Sequence, residues 1–584
     1  MAASRGLTGL SLPLSRFAFP FATGLRKAFQ NGYHGGDFRA DITAGIIVGI
    51  VALPLSMALA IAVNVPPQHG LYTAIFGGAI AALTGGSRTQ VTGPTAAFVV
   101  ILAPIVSRYG LPGLLTAGMM AGVILLAFGA FRIGRLIRYI PHPVTTGFTA
   151  GIAIVIATIQ LKDALGLNVG ALPDEWIGKL EVMWNARHSI NGVETLISAL
   201  TFAMLVFLPR VIRKVPAPLI AITLASLAGY FLERFIPGIT VTTLGDRFHT
   251  VVDGVAVPGI PRGLPHPALP WSGQTLSFNL VRELTPVALT IATLGAIESL
   301  LSAVVADGMA RTRHDPNGEL IGQGFANLIA PFFGGIAATG ALARTATNIR
   351  SGARTPMAAV FHSLTVVATL LLLAPLVSYI PMAALAALLL RVAWTMSDAR
   401  HVLHTLHVAP KSDAFVLLIC LSLTVLQDMI VAVSVGIVLA ALLFMRRMAD
   451  MTEGRVVLEP GETGTTAETP EGVALYEIAG PLFFGAAEKA VGALHAIGNG
   501  VHAVVLDLGR VPVIDNTGLV ALESALEGLR VRHAHLYIAR ISSQPRRVFS
   551  RAKFLERFPE VLFTDTVREA FEKASEALKG EEAK

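Results

Sequence analysis

Apolar residues in this chain gather into long runs rather than alternating with polar ones. Between Thr43 and Met445 the runs fall at about 43–63, 71–86, 90–108, 112–131, 143–162, 194–209, 216–236, 284–306, 320–337, 340–351, 356–378, 380–397, 412–427 and 428–445. The ~30 Å hydrocarbon core of a bilayer takes about 20 helical residues. The pattern therefore predicts about fourteen membrane segments, several too short to cross alone. Two short ones correspond. The third opens at Val91 as VTGPTA, and the tenth runs ATGALARTATN from Ala338. Both are broken by glycine and rich in small polar residues. Each is third in its half of seven. Matched interruptions of this kind predict an inverted repeat, with a ligand site where the half-helix ends meet.

After Asp450 the pattern changes. Stretches 473–478, 503–508 and 535–541 read as strands, and 486–497 and 517–529 as amphipathic helices. Alternating strands and helices predict a small α/β domain. The expected organisation is a leader over 1–40, a polytopic helical transport domain over 41–450, a turn-forming polar linker over 451–472 and the α/β domain over 473–578.

Composition sharpens this picture. The chain is 53% hydrophobic and 14% charged, against about 25% charged in soluble domains. Its net charge of +7 does not call for nucleic acid. The basic residues sit at segment ends: Arg88, then Arg132, Arg135 and Arg138, then Arg210, Arg213 and Lys214, then Arg311 and Arg313, then Arg400 and Lys411, then Arg446 and Arg447. With both ends inside, these are the cytoplasmic loops of the positive-inside rule. The leader carries Arg5, Arg16, Arg26 and Lys27 and reads as a cytoplasmic stretch rather than a removed signal. The single cysteine, Cys420, excludes a disulfide framework or a thiolate metal site within one chain. His69, His142 and His362 have no partner at metal-ligand spacing, so neither a metal nor a cofactor is expected.

Charge inside the apolar runs carries the chemistry. Glu298 stands within 284–307, where an ionised side chain costs at least ~2.5 kcal/mol. Ser302, four residues on, shares its helical face and is expected to hold the carboxyl or line a cavity. Asp307, at the end of the same run, reads as interfacial. In segment 10, Arg344 lies beside Thr345, Thr347 and Asn348, after the glycine at Gly340. A helix N-terminus offers free N–H groups and partial positive charge, which suits an anion. Segment 3 is expected to supply the opposing N-terminus at Gly93, Pro94 and Thr95, with the proline in a first helical turn. Arg350 and Arg354 read as snorkelling interfacial residues, and Gln323 and Asn327 as interhelical hydrogen-bonding groups. In the tail, Asp515 is placed to cap a helix and Thr517 to accept a phosphoryl group at its N-terminus.

These stretches resemble the sulfate permease (SulP) anion transporters. The resemblance rests on VPPQHGLY at 65–72, VTGPTA at 91–96, DPNGELIGQGFAN at 315–327 and TGALARTATN at 339–348. The tail, with DNTG at 515–518, is similar to the STAS domain fused to many of them. Stretches such as GPTAAFVVI from Gly93 and LGAIESLL from Leu294 look most like the family's C4-dicarboxylate branch. The resemblance implies two intertwined seven-helix repeats, with a core part that holds substrate and moves against a gate part. It places substrate between the N-termini of segments 3 and 10. It makes Glu298 the acidic residue tied to proton coupling in some members and sodium in others. Ala343 and Arg344 take the place of a serine–arginine pair, the alanine being a departure. On segment 1, Ser56 and Met57 stand near the family's substrate-facing polar residue, and Leu55 replaces a frequent glutamine.

The expected function is secondary-active, proton-coupled C4-dicarboxylate uptake by an elevator movement, in a bacterial inner membrane with both termini cytoplasmic. Sulfate or bicarbonate transport, with sodium as the coupling ion, is the alternative. A membrane-tethered scaffold acting through the α/β domain is the second. No nucleophile–base pair points to an enzyme. The partners expected are the anion, its coupling ion, lipid, a second copy in a homodimer and a cytosolic protein at the STAS domain.

Overall fold

The structure is a computed structural model. It describes residues 20–582 apart from 31, 136–140, 171, 213–214, 253–254, 428, 451, 458–468, 484 and 493–499. Arg5, Arg16, Arg138, Arg213 and Lys214 lie outside the described residues, as do most of the expected linker and the end of the helix expected over 486–497. The chain divides into two compact units, Met1–Ile437 and Val438–Lys584.

The first unit is helical. Its elements are α1 (Gly35–Ala62), α2 (Pro67–Tyr72), a π-helical turn (Thr73–Gly77), α3 (Gly78–Thr84), β1 (Thr92–Gly93), α4 (Ala96–Ala130), α5 (His142–Ala164), α6 (Gly192–Val211) and α7 (Ala217–Phe235). A second series follows: α8 (Phe278–Ala310), α9 (Pro316–Ile329), β2 (Thr339–Gly340), α10 (Leu342–Arg350), α11 (Met357–Val377), α12 (Met382–Ser397) and α13 (Lys411–Leu426). The next helix, α14 (Met429–Asp450), runs across the boundary between the units. Among the described residues, nine helices are long and apolar enough to cross a membrane. Segments 3 and 4 follow directly on one another in α4 as two helices, separated by a kink at Gly110, where φ is 66°. Glycine adopts that left-handed geometry without a Cβ clash. Beyond the expected segments the structure adds short helices, Thr23–Phe29, Trp176–Asn185, Leu244–Arg247 and Ala399–Val408 among them, and a hairpin pairing His249–Val252 with Val255–Pro258.

The helices sort into two groups by packing. The elements α1 to α4 pack with α8 to α11, chiefly α4 on α9 and α8, and α1 on α11. The elements α5 to α7 pack with α12 and α13, chiefly α5 on α12 and α13. Each half of the series thus sends its first four segments to one group and the next to the other. Lipid tails are as apolar as leucine, so helices here gain from close backbone approach rather than from hiding apolar surface. Gly45 and Gly49 supply that approach in the first group. A Cβ on either would run into α11 at Phe361 or Thr365.

The second unit is a five-stranded sheet in the order β3 (Glu453–Val457), β4 (Val473–Ala479), β5 (Ala503–Arg510), β6 (His535–Ala539) and β7 (Leu562–Thr564). The strand β3 is antiparallel to β4, and the remaining pairs are parallel. It lies inside the stretch expected to be linker, so the sheet takes an edge strand from before the linker's polar part. Alternate strand residues face opposite sides. Tyr476, Val504 and Leu506 pack under α15 (Gly485–Gly492) and α16 (Asn516–Arg530). Leu475, Val505 and Tyr537 pack under α17 (Val567–Glu582). A parallel sheet covered on both faces explains why its strands read as continuous apolar runs.

Candidate anion-binding site

The two broken segments meet. The strands β1 and β2 pair antiparallel, with Thr92 opposite Gly340 and Gly93 opposite Thr339. Directly after them start α4 and α10, whose N-cap residues are Thr95 and Ala341. Both helices begin later than the segments read from the sequence, at Ala96 and Leu342. Pro94 therefore precedes its helix rather than entering the first turn. Neither N-cap side chain bonds its own helix. Apart from the Phe98 amide, which bonds the Thr95 carbonyl at 3.3 Å, the first-turn amides are thus open to another acceptor.

Arg344 fills the space beside this crossing. It is 2% exposed and ranks first among the largest fully buried side chains. Its Nη2 donates to the Pro94 carbonyl. Its Nε and Nη1 find no acceptor among the described residues. A Cβ on Gly93 would strike the guanidinium, only 3.2 Å from Cζ. Glycine at 93 is what lets the arginine lie against the backbone. A buried donor without a partner costs about 1–3 kcal/mol. Arginine presents its donors as a rigid fork suited to oxyanions.

Glu298 reaches the same place from α8. Thr95 donates its hydroxyl to Glu298 Oε2 at 2.9 Å, which is why that N-cap does not bond its own helix. The carboxyl is half-buried. Arg344 is its charged neighbour, yet no ion pair among the described residues joins them. The site therefore holds an acid and a base side by side with neither consumed by the other.

The remaining expected residues divide. Thr345 is buried, but its hydroxyl accepts from the Val91 amide at 3.0 Å and from Ser302 at 3.5 Å. Ser302 is thus turned to α10, not to Glu298, and corrects the expectation that it holds the carboxyl. The neighbouring Ser299 ties α8 to β2, meeting Thr339 Oγ1 at 2.9 Å and accepting from the Gly340 amide at 3.3 Å. Ala343 is exposed on the first turn of α10. Ser56 is fully buried on α1, its hydroxyl without a partner among the described residues, and a Cβ on Gly70 of α2 would strike its carbonyl. Met57 is buried with it, while Leu55 is only partly buried. Arg350 and Arg354 are exposed, as expected of interfacial residues. In the second unit, Asp515 caps α16 by accepting from the Gly518 amide at 2.7 Å, and Thr517 is exposed in the first turn.

A carboxylate that sequence reasoning did not single out lies behind the crossing. Glu319, in α9, accepts from the amides of Gly86 and Ser87 at 3.1 and 2.9 Å and from Gln90 and Gln323, both at 3.0 Å. Gln323 also donates to Thr92 Oγ1 at 2.7 Å. Asn327 bonds Ala338 through both carbonyl and amide at 2.8 Å. Gln323 and Asn327 are interhelical hydrogen-bonding groups, as read from their spacing. Glu319 was hidden because it follows the capping sequence Asp315-Pro316, which reads as an ordinary helix start.

A cavity of about 1220 Å³ opens between the two helix groups. Val99, Val100 and Arg108 of α4, Gln160 of α5, Thr290 of α8 and Thr424 of α13 line it. It reaches the first turn of α4.

Residues 38–420 match the sulfate permease family, and residues 465–570 match the STAS domain. Over 535 residues, 91% of this chain and 97% of the relative, the chain is 37% identical to a Bacillus subtilis protein named "Putative sulfate transporter YvdB". It is 31% identical to the bicarbonate transporter BicA of Picosynechococcus over 87% of this chain and 89% of that one. The transmembrane domain of a cyanobacterial BicA superposes with a TM-score of 0.59 at 30% identity, covering 68% of this chain and 98% of that one. The structure of SLC26A9 superposes with a TM-score of 0.81 at 17% identity over 96% of this chain and 94% of that one, a likeness of fold.

Proposed function

Because the chain belongs to the sulfate permease family, we propose that it carries a small anion across the membrane, coupled to protons through Glu298, by an elevator movement of the first helix group against the second. It is a multi-pass membrane transporter rather than an enzyme. The observation that carries the proposal is Arg344, buried at the crossing of β1 and β2 with two nitrogens that have no partner among the described residues. An oxyanion there would take the Nε and Nη1 donors and the first-turn amides of both helices. Glu298, tied to Thr95 at the same helix end, would bring the proton. Each charge moved against the membrane potential costs ~2.3 kcal/mol per 100 mV, so one symported proton offsets that much of the cost.

The substrate class we favour is sulfate or bicarbonate, for which the relatives are named. The C4-dicarboxylate reading is kept as the second, on the strength of the sequence resemblance over Gly93–Ile101 and Leu294–Leu301. The same reading places the chain in a bacterial inner membrane with the STAS domain cytoplasmic, as a homodimer, with Thr517 as a regulatory phosphorylation site. Uptake of labelled sulfate, bicarbonate and succinate into proteoliposomes, with pH and sodium gradients set separately, tests it. One of the three anions is expected to accumulate under an inward proton gradient, and Arg344→Gln to abolish that uptake. Accumulation driven by sodium alone would overturn proton coupling; no saturable uptake of any anion would overturn transport.

A further inference from the structure

We propose that Glu319 is a positioning residue for anion binding, holding the crossing of β1 and β2 at the spacing that the anion needs. The inference rests on the transport reading for its substrate but not for its geometry. Glu319 is 2% exposed and lies on α9, outside the site itself. All four of its hydrogen bonds come from donors, the arrangement that an ionised carboxylate accepts. Two of them fix the backbone at Gly86 and Ser87, where the chain leaves α3 for β1. The other two reach the crossing from both sides. Gln90 is held with its side chain against Gly340, so close that a Cβ on that glycine would collide with it. Gln323 is held where it donates to Thr92, the residue paired with Gly340. Both glutamines turn their N–H groups to the carboxylate, and both are left with an unpaired Oε1 among the described residues. That orientation makes sense only if the acceptor at 319 is worth more than the partners forgone. Hydrogen bonds to a charged group are about twice as strong as neutral ones.

A second buried carboxylate supplies the control. Asp41 of α1 accepts from the amides of Arg354 and Thr355 at 2.7 and 3.1 Å and from the Thr355 hydroxyl at 2.5 Å, with no bond to β1 or β2. Glu319→Gln and Asp41→Asn are compared in the full-length protein. Glu319→Gln puts an amide N–H₂ against donors and is expected to raise KM for the transported anion about tenfold or more while Vmax stays within about threefold. Backbone hydrogen exchange is expected to rise in peptides covering 86–93 and 339–341. Asp41→Asn is expected to lower the melting temperature with KM unchanged. If Glu319→Gln folds poorly, Glu319→Asp keeps the charge on a shorter stem and is expected to give a smaller KM rise. Equal KM shifts in the 319 and 41 variants, or exchange that rises everywhere, would overturn the proposal. A wild-type protein that takes up none of the anions would sink the transport reading alone, since the exchange comparison still decides the role of Glu319.

Discussion

At the scale of the residue, the question is why an arginine and a glutamate are kept in so apolar a setting. Arg350 and Arg354 reach solvent, where Arg354 also pairs with Asp37 at 3.0 Å. Arg344 cannot, and two of its nitrogens stay unpaired among the described residues. At about 1–3 kcal/mol for each buried unsatisfied group, the two together offset the about 1.5–3 kcal/mol that a charged donor's bond to Pro94 returns. A ligand that supplies the missing acceptors reverses the sign. Glu298 is held at the same helix end by the Thr95 hydroxyl, and no ion pair among the described residues joins it to Arg344. Replacing Glu298 with Gln fixes the group in a neutral form of the same shape. Uptake by Glu298→Gln is expected to lose its acid stimulation, becoming flat across the pH range in which the wild type accelerates as pH falls. Wild-type pH dependence retained in proteoliposomes of the variant would remove Glu298 from the coupling step.

At the scale of the element, the crossing of β1 and β2 is two residues long on each side, and its geometry depends on what lies behind it. Gly93→Ala tests that directly. The added methyl would drive the Arg344 guanidinium off the backbone, and overpacking of this kind costs about 1–3 kcal/mol. The variant is expected to insert and fold but to lose anion binding, measured as the loss of ligand-dependent thermal stabilisation in detergent. Stabilisation by the anion equal to the wild type's would separate Gly93 from the site. Much of this level was legible in the chain. Apolar runs gave the segments because a bilayer demands about 20 helical residues per crossing. The glycine-broken runs at 91–96 and 338–348 gave the crossing because few other sequences interrupt a membrane helix. What stayed hidden was set by tertiary partners. Ser302 shares a helical face with Glu298, yet Thr345 on another helix claims it. Glu319 looks like the first turn of any capped helix until the connection at 86–90 folds onto it. The helices Trp176–Asn185 and Ala399–Val408 are too short and too polar to register as apolar runs.

At the scale of the whole molecule, the two units carry separate hydrophobic cores. All residues of the proposed anion site come from 56–345, within the first unit. The second unit has its own two-sided sheet packing, with Tyr476, Val504 and Leu506 on one face and Leu475, Val505 and Tyr537 on the other. In that sheet Asp507 is fully buried and accepts from Arg540 Nε at 3.0 Å, which holds the Arg540 guanidinium above its usual pKa. If the chain is a transporter with a regulatory tail, truncation after Asp450 is expected to leave KM for the anion unchanged within about twofold, because no binding group has been removed. Vmax is free to change, since on the proposed elevator mechanism a tail would act on the rate of movement and not on the binding groups. If the chain were instead a scaffold whose tail docks a partner, the same truncation would remove its function, and the buried charge at 298 and 344 would have no work to do. Saturable uptake by a truncated, membrane-inserted chain, with wild-type KM, decides for transport; a correctly inserted truncation with no uptake of any anion decides against placing the whole of the binding and translocation machinery ahead of residue 451.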